Sequence, residues 1–150
     1  MDTTIRLHHD FKEFLKLLEA NDVQYLLVGG YAVGFYGYPR PTGDLDIWVA
    51  RDRTNAEKLV GVVRKFGFAT PELSEEVFTL VKSIVRMGIP PYKLEIITHI
   101  DGVEFSKCYA NRVISEIDSV RVSLISLGDL KINKKASGRA KDINDLENLP

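Results

Sequence analysis

The chain has 150 residues, 45% hydrophobic and 27% charged, proportions that suit one globular core and exclude a disordered tail, a collagen-like repeat or a coiled-coil rod. Twenty basic and 21 acidic residues leave a formal charge of −1, so bulk electrostatics favour neither general nucleic-acid binding nor attachment to a membrane surface. A single cysteine, Cys108, excludes an internal disulfide and a multi-cysteine zinc site and matches a reducing cytoplasm.

The start, Met1 to Asp10, carries Asp2, Arg6, His8 and His9 where an export signal would have an apolar core. No repeat or Gly/Ser/Pro-rich linker divides residues 1–150, so one domain is expected, cytoplasmic and without a membrane span. From Asp10 to about Asn21, Phe11, Phe14, Leu15 and Leu18 recur at helical spacing, with Asp10 and Glu13 resembling a capping box. Gln24 to Val28 reads as a buried strand that runs into a tight Gly29-Gly30 turn and a short helix through Phe35. The uncharged stretch from Tyr25 to Pro39, with its four glycines, is too short to span a bilayer as a helix.

Asp44 to Val49 alternates, so a strand there buries Leu45, Ile47 and Val49 and turns Asp44, Asp46 and Trp48 to the other face. Thr54 and Glu57 offer a second capping box for a helix through Phe66 that Gly67 stops. A weaker helix is expected from Ser74 to about Leu80. Strands follow over Ser83–Met87 and Tyr92–Thr98, flanking the breaker Gly88-Ile89-Pro90-Pro91. Arg112–Ile117 and Val120–Ile125 read as a hairpin around Asp118-Ser119, after which Ser126 and Asp129 open a helix to Ala136. Ser137-Gly138 breaks it before a last helix to about Asn148. The fold class is α/β or α+β, a mixed twisted sheet flanked by helices. Because the hairpin is antiparallel, a doubly wound parallel sheet is disfavoured.

Chemistry concentrates between Gly29 and Asp46. Asp44 and Asp46 project side by side, roughly 6–7 Å apart along the strand, and carboxylate pairs of this kind hold hard cations such as Mg²⁺ against substrate phosphates. Gly29 and Gly30 let the backbone approach a ligand closely, and the helix they open aims amide N–H groups at an anion. From Lys131 to Lys141 there are five basic residues and no acid, a local positive field in a nearly neutral protein. The histidines lack the spacing of a helical metal site, and Cys108 has no evident activating partner, so surface roles and a buried thiol are expected. Trp48 is open to two roles, stacking a base or packing in the core.

A strand ending in Gly-Gly, a short helix and a strand bearing Asp-x-Asp, together Gly29, Gly30, Asp44 and Asp46, resemble the nucleotidyltransferase superfamily of the DNA polymerase β type. The resemblance is nearest to minimal bacterial members, including toxins of abortive-infection and toxin–antitoxin systems, where an arginine and a threonine precede the first aspartate. Arg40 and Thr42 occupy those places. The resemblance implies a third carboxylate on a neighbouring strand, for which Glu95 is the candidate; glutamate departs from the aspartate common there. Lys134, Arg139, Lys141, Asp142 and Asp145 match a further lysine, then Arg-x-Lys-Asp-x-x-Asp pattern of the toxin-like enzymes, and the C-terminal segment at about 126–148 is basic and helical. Asp142 fits both a helix cap and a ligand contact.

On this resemblance the polymerase β-like fold is expected, with Asp44, Asp46 and Glu95 as catalytic residues and as ligands for one or two Mg²⁺ ions, or Mn²⁺ in their place. Gly29, Gly30, Arg40, Thr42, Lys134, Arg139, Lys141 and Asp142 would bind substrate. The implied reaction moves a nucleoside monophosphate from an NTP to a hydroxyl on an RNA end, a protein or a small molecule, with a toxin role and a cognate antitoxin as partner. The alternative is a catalytically weak or inactive module that binds nucleotide, RNA or a protein.

Overall fold

In the computed structural model, which describes residues 5–68 and 73–150, the apolar runs become six strands: β1 (Tyr25–Val28), β2 (Asp44–Val49), β3 (Ile84–Ile89), β4 (Tyr92–Ile97), β5 (Val113–Ile117) and β6 (Val120–Leu124). The helices are α1 (His9–Ala20), α2 (Gly29–Phe35), α3 (Arg53–Phe66), α4 (Phe105–Ala110), α5 (Leu127–Ser137) and α6 (Ala140–Asn148), with a 3₁₀ turn at Glu75–Phe78. Residues 1–4 of the polar start lie outside the described part.

The strands form one sheet in the order β3-β4-β2-β1-β6-β5. Its antiparallel pairs are β1–β2, β3–β4 and β5–β6, while β2–β4 and β1–β6 are parallel. The mixed sheet expected from the sequence is therefore present. Parallel pairing of β2 with β4 needs a crossover, and α3 lies within it. Leu45 and Ile47 of β2 pair with Leu94 and Ile96 of β4, so the buried face of both strands is set in one register. The core joins these to Phe11, Phe14, Leu15 and Leu18 of α1 and Leu59, Val62 and Val63 of α3. Because side chains alternate, the same register puts Asp46 beside Glu95 on the opposite face.

Several local expectations change. Helix α1 is capped by His8, whose Nδ1 accepts from the Asp10 N–H at 3.2 Å, so Asp10 and Glu13 lie inside the helix instead of forming its cap. Asp52, and not Thr54, caps α3 by accepting from Asn55 N–H at 3.0 Å. The segment expected to be a helix from Ser74 to Leu80 is only the 3₁₀ turn, and β3 extends through Gly88 to Ile89, leaving Pro90-Pro91 as the turn. Helix α4, six residues long, was not expected. It presses Phe105 edge-on against Trp48, ring centroids 5.1 Å apart, which resolves Trp48 as a core residue.

The β5–β6 turn forms without glycine. Asp118 and Ser119 both take positive φ, 48° and 67°, the backbone of a tight hairpin turn. Asp118 also accepts a hydrogen bond from the Leu7 N–H at 2.9 Å and lies 3.8 Å from Lys12, so its side chain is tied to the chain entering α1.

Candidate active site

Gly29 closes β1 and opens α2 with φ of +69°, a left-handed conformation that glycine adopts without steric cost. A second constraint acts at this position. A Cβ there would collide with Oδ2 of Asp46, so the carboxylate lies directly against the turn's backbone. Gly30 is similarly covered by Thr42, whose side chain sits where a Cβ would reach. The two glycines thus let the strand carrying the aspartates close onto the β1–α2 turn.

Asp46 stands between two neighbours, with Val28 opposite on β1 and Glu95 opposite on β4. Burial pushes its carboxyl up to about 7, and the negative charges of Glu95 and Asp44 push in the same direction, with Lys141 opposing them. Glu95 has a second partner, Arg86, directly across the β3–β4 ladder, with Nε donating to Oε1 at 3.0 Å. Asp44, Asp46, Glu95 and Arg86 line a cleft of about 500 Å³ together with Gly29, Lys134, Arg139 and Lys141. The lining also includes Lys82, His99 and Asp101, and Asn133 and Ser137 of α5.

Not all of the candidates meet in this cleft. Gly30, Arg40 and Thr42 line a separate, smaller cavity beside Ile5, Arg6 and Tyr31. Arg40 grips Asp145 with both ends of its guanidinium, at 2.8 and 2.9 Å. Lys134 donates to Asp142 and sits 3.0 Å from Asp145, and Arg139 clasps Asp142 with Nε and Nη2 at 2.7 and 3.2 Å. Asp142 and Asp145 are both completely buried. Burial raises each carboxyl, but hydrogen bonds from Arg139 and Lys134 to Asp142, and from Arg40 and Lys134 to Asp145, hold both below the usual carboxylate range. Asp142 also accepts from the Arg139 backbone N–H, closing the start of α6. The positive run from Lys131 to Lys141 is therefore partly consumed within the fold.

Three carboxylates on two adjacent strands are an oxygen-only donor set, the chemistry a hard divalent cation prefers. The buried charge on Asp46 is the kind such a cation relieves. Among the described residues, the group of three whose ligand atoms already lie within 4.8 Å of one another is instead His9, Asp10 and Glu13, exposed at the start of α1. The strand trio is more open, with Glu95 drawn to Arg86.

Arg86, Lys82, His99, Asp101, Asn133 and Ser137 were not read from the sequence. For Arg86 a signal existed: counting four positions outward from each side of the Pro90-Pro91 turn puts it opposite Glu95.

Residues 5–149 match the family described as "Nucleotidyltransferase of unknown function (DUF6036)". No curated protein matches the chain significantly. Among solved structures it is similar to TM1012 from Thermotoga maritima, provisionally named a nucleotidyltransferase, at 16% identity and a TM-score of 0.59 over 91% of this chain and 88% of that one. It is also similar to the lincosamide antibiotic adenylyltransferase LnuA, solved with lincomycin bound, at 15% identity and a TM-score of 0.57 over 95% of each chain. None of the described helices is long and apolar enough to cross a membrane.

Proposed function

The chain belongs to this family of nucleotidyltransferases, and on that premise we propose that the acidic cleft transfers a nucleoside monophosphate from an NTP to a hydroxyl acceptor with the help of Mg²⁺. The observation that carries the reading is the abutment of Asp46 against both Glu95 and the Gly29 backbone. It supports a site in which acidic donors and an anion-accepting turn share one wall.

In this reading Asp44, Asp46 and Glu95 would hold the metal. When bound, Mg²⁺ supplies charge neutralisation to the polyphosphate and acidity to the acceptor hydroxyl. The acceptor oxygen attacks the α-phosphorus, the bond to the bridging α–β oxygen breaks, and pyrophosphate leaves with that electron pair. The hydroxyl proton passes to a carboxylate oxygen, and Glu95 is the group proposed to take it. Lys141 and Lys82 face the same cleft and would meet the triphosphate's charge. Lys134, Arg139 and Arg40 contribute less directly, because their charges are engaged by Asp142 and Asp145.

The acceptor is proposed from three classes: an RNA end, a protein hydroxyl or a small hydroxylated molecule. The likeness to an antibiotic adenylyltransferase of nearly matching extent supports keeping the last of these. A toxin role with a cognate antitoxin is proposed for a chain that labels RNA or protein. The Arg86–Glu95 pair favours the second reading, a module that binds nucleotide without transferring it, because it occupies the third carboxylate.

Incubation with α-labelled NTPs and Mg²⁺, offering total RNA, cell protein or hydroxylated antibiotics in turn, tests the proposal. Label is expected on one class, and Asp46→Asn should lower transfer by at least ~100-fold, the scale of a lost general-base or electrostatic contribution. Nucleotide binding with no label on any class would support the binding module instead. Toxicity on expression that vanishes in Asp44→Ala supports the toxin role, and a harmless wild type removes it.

A further inference from the structure

We infer that Arg86 is a resident counter-ion of the acidic cleft, one that competes with a divalent cation for Glu95 and turns to the substrate's phosphates when the metal arrives. The inference rests on the proposed reading of the cleft as a metal-dependent transfer site and assigns that site a residue for coupling its two ligands.

The geometry begins with the ladder. Arg86 and Glu95 are direct cross-strand partners on β3 and β4, and their side chains meet at 3.0 Å. Glu95 is in turn the direct partner of Asp46. The order across the cleft floor is thus cation, carboxylate, carboxylate, and Asp44 adds a third acid two positions along β2. Neighbouring carboxylates in a half-buried cleft repel, and a cation beside one of them lowers that repulsion. Of the other cations lining the cleft, Lys134 and Arg139 are committed to Asp142 and Asp145. Among the described residues, Lys82 and Lys141 have no ion pair. Arg86 is therefore the cation placed directly on the acidic trio.

A metal on Glu95 would weaken that placement. A guanidinium beside a carboxylate that also ligates a divalent cation is repelled by the cation and loses acceptor lone pairs to it. Arg86 is free to leave: it lies on the edge strand, and 61% of its side chain is exposed against 18% for Glu95. Its new position would be elsewhere in the cleft, whose lining also includes Lys82. A planar five-donor fork suits a phosphate there. Metal entry would then strengthen the grip on nucleotide, and nucleotide would strengthen metal binding by the same factor, as linkage demands.

Mn²⁺ binding to the nucleotide-free protein, followed by the electron paramagnetic resonance of the free ion, tests this in wild type, R86Q, R86K, E95Q, D46N and the double variant R86Q/E95Q. Arg86→Gln is expected to bind Mn²⁺ roughly two- to fivefold tighter than wild type, the range of a partly exposed ion pair. The gain should vanish when R86Q/E95Q is compared with E95Q, and R86K should restore wild-type affinity. Adding a non-hydrolysable ATP analogue should tighten Mn²⁺ binding more in wild type than in R86Q. An R86Q protein of unchanged melting temperature that binds Mn²⁺ equally or more weakly, while D46N loses it, overturns the inference and leaves the metal-dependent reading standing. If D46N binds Mn²⁺ as wild type does, the reading falls and this inference falls with it.

Discussion

Two sets of charge, one fully buried and one half-buried, are balanced in opposite ways in this molecule. In the α5–α6 clamp, two fully buried aspartates receive Lys134 between them and an arginine fork each. On the cleft floor, three carboxylates share one directly paired arginine. The clamp's carboxyls are held below their ordinary range and Asp46 is pushed above it. Charge compensated within the chain holds helices together; charge left over needs a ligand to complete it.

The largest expected effect comes from breaking the clamp. Asp145→Ala strands Arg40 and removes one of the two acids around Lys134, whose side chain is only 5% exposed. Loss of one partner from a buried pair costs about 3–5 kcal/mol, measurable as a fall in the urea midpoint. Lys134→Met should cost less, because Asp142 keeps Arg139 and Asp145 keeps Arg40. An Asp145→Ala protein as stable as wild type would erase the distinction between the two regions.

Next comes the pH dependence, where the regions carry opposite signs. Depressed carboxyls at Asp142 and Asp145 mean that below about pH 5 the unfolded chain binds more protons, so stability falls with acid as the pH descends towards their folded values. The raised Asp46 does the reverse: between about pH 4 and its value of about 7 the folded state holds the extra proton, so stability falls as pH rises through that window. Urea midpoints across pH should therefore peak between the two limbs. Asp46→Asn should flatten the upper limb and, at pH 8, raise stability by about 1 kcal/mol, well under the full conversion of the shift because Lys141 and solvent already screen the carboxylate. Lower stability for this variant at pH 8 would show that the floor is balanced after all.

How much of this contrast was legible depends on the range of the interaction that creates it. Period-two alternation identified β2 and the face of Asp44 and Asp46, and Gly138 marked the break between α5 and α6, because each signal lies within a few residues. The β5–β6 hairpin was readable although Asp118 stands where glycine is usual, its side chain being tied to Leu7. Caps were misassigned because a competing acceptor stood two residues earlier in each case, His8 before Asp10 and Asp52 before Thr54. Helix α4 is too short to show a periodic face. Strand order is a tertiary fact, so the meeting of Glu95 with Asp46 was an expectation that waited on β4 pairing parallel to β2. The basic run gives a local positive field in the sequence, yet the three-residue spacing of Arg139 and Asp142 already allows them to pair on one helix turn.

The smallest expected change sharpens the comparison from the cleft side. Lys141 lies one residue from Asp142 but is exposed and, among the described residues, has no ion pair; its charge acts on Asp46, whose carboxyl it draws down. Lys141→Gln should leave stability within about 0.5 kcal/mol of wild type, as for an exposed residue away from structural contacts. With one fewer cation in the cleft, nucleotide should bind a few-fold more weakly at low salt, and the deficit should shrink as ionic strength rises and shortens the reach of surface charge. Titration of a fluorescent ATP analogue at two salt concentrations, beside a thermal melt, separates the outcomes. A large loss of stability would assign Lys141 to the clamp, whereas a salt-sensitive loss of nucleotide at constant melting temperature assigns it to the cleft, although its neighbour Asp142 is buried and paired within the clamp.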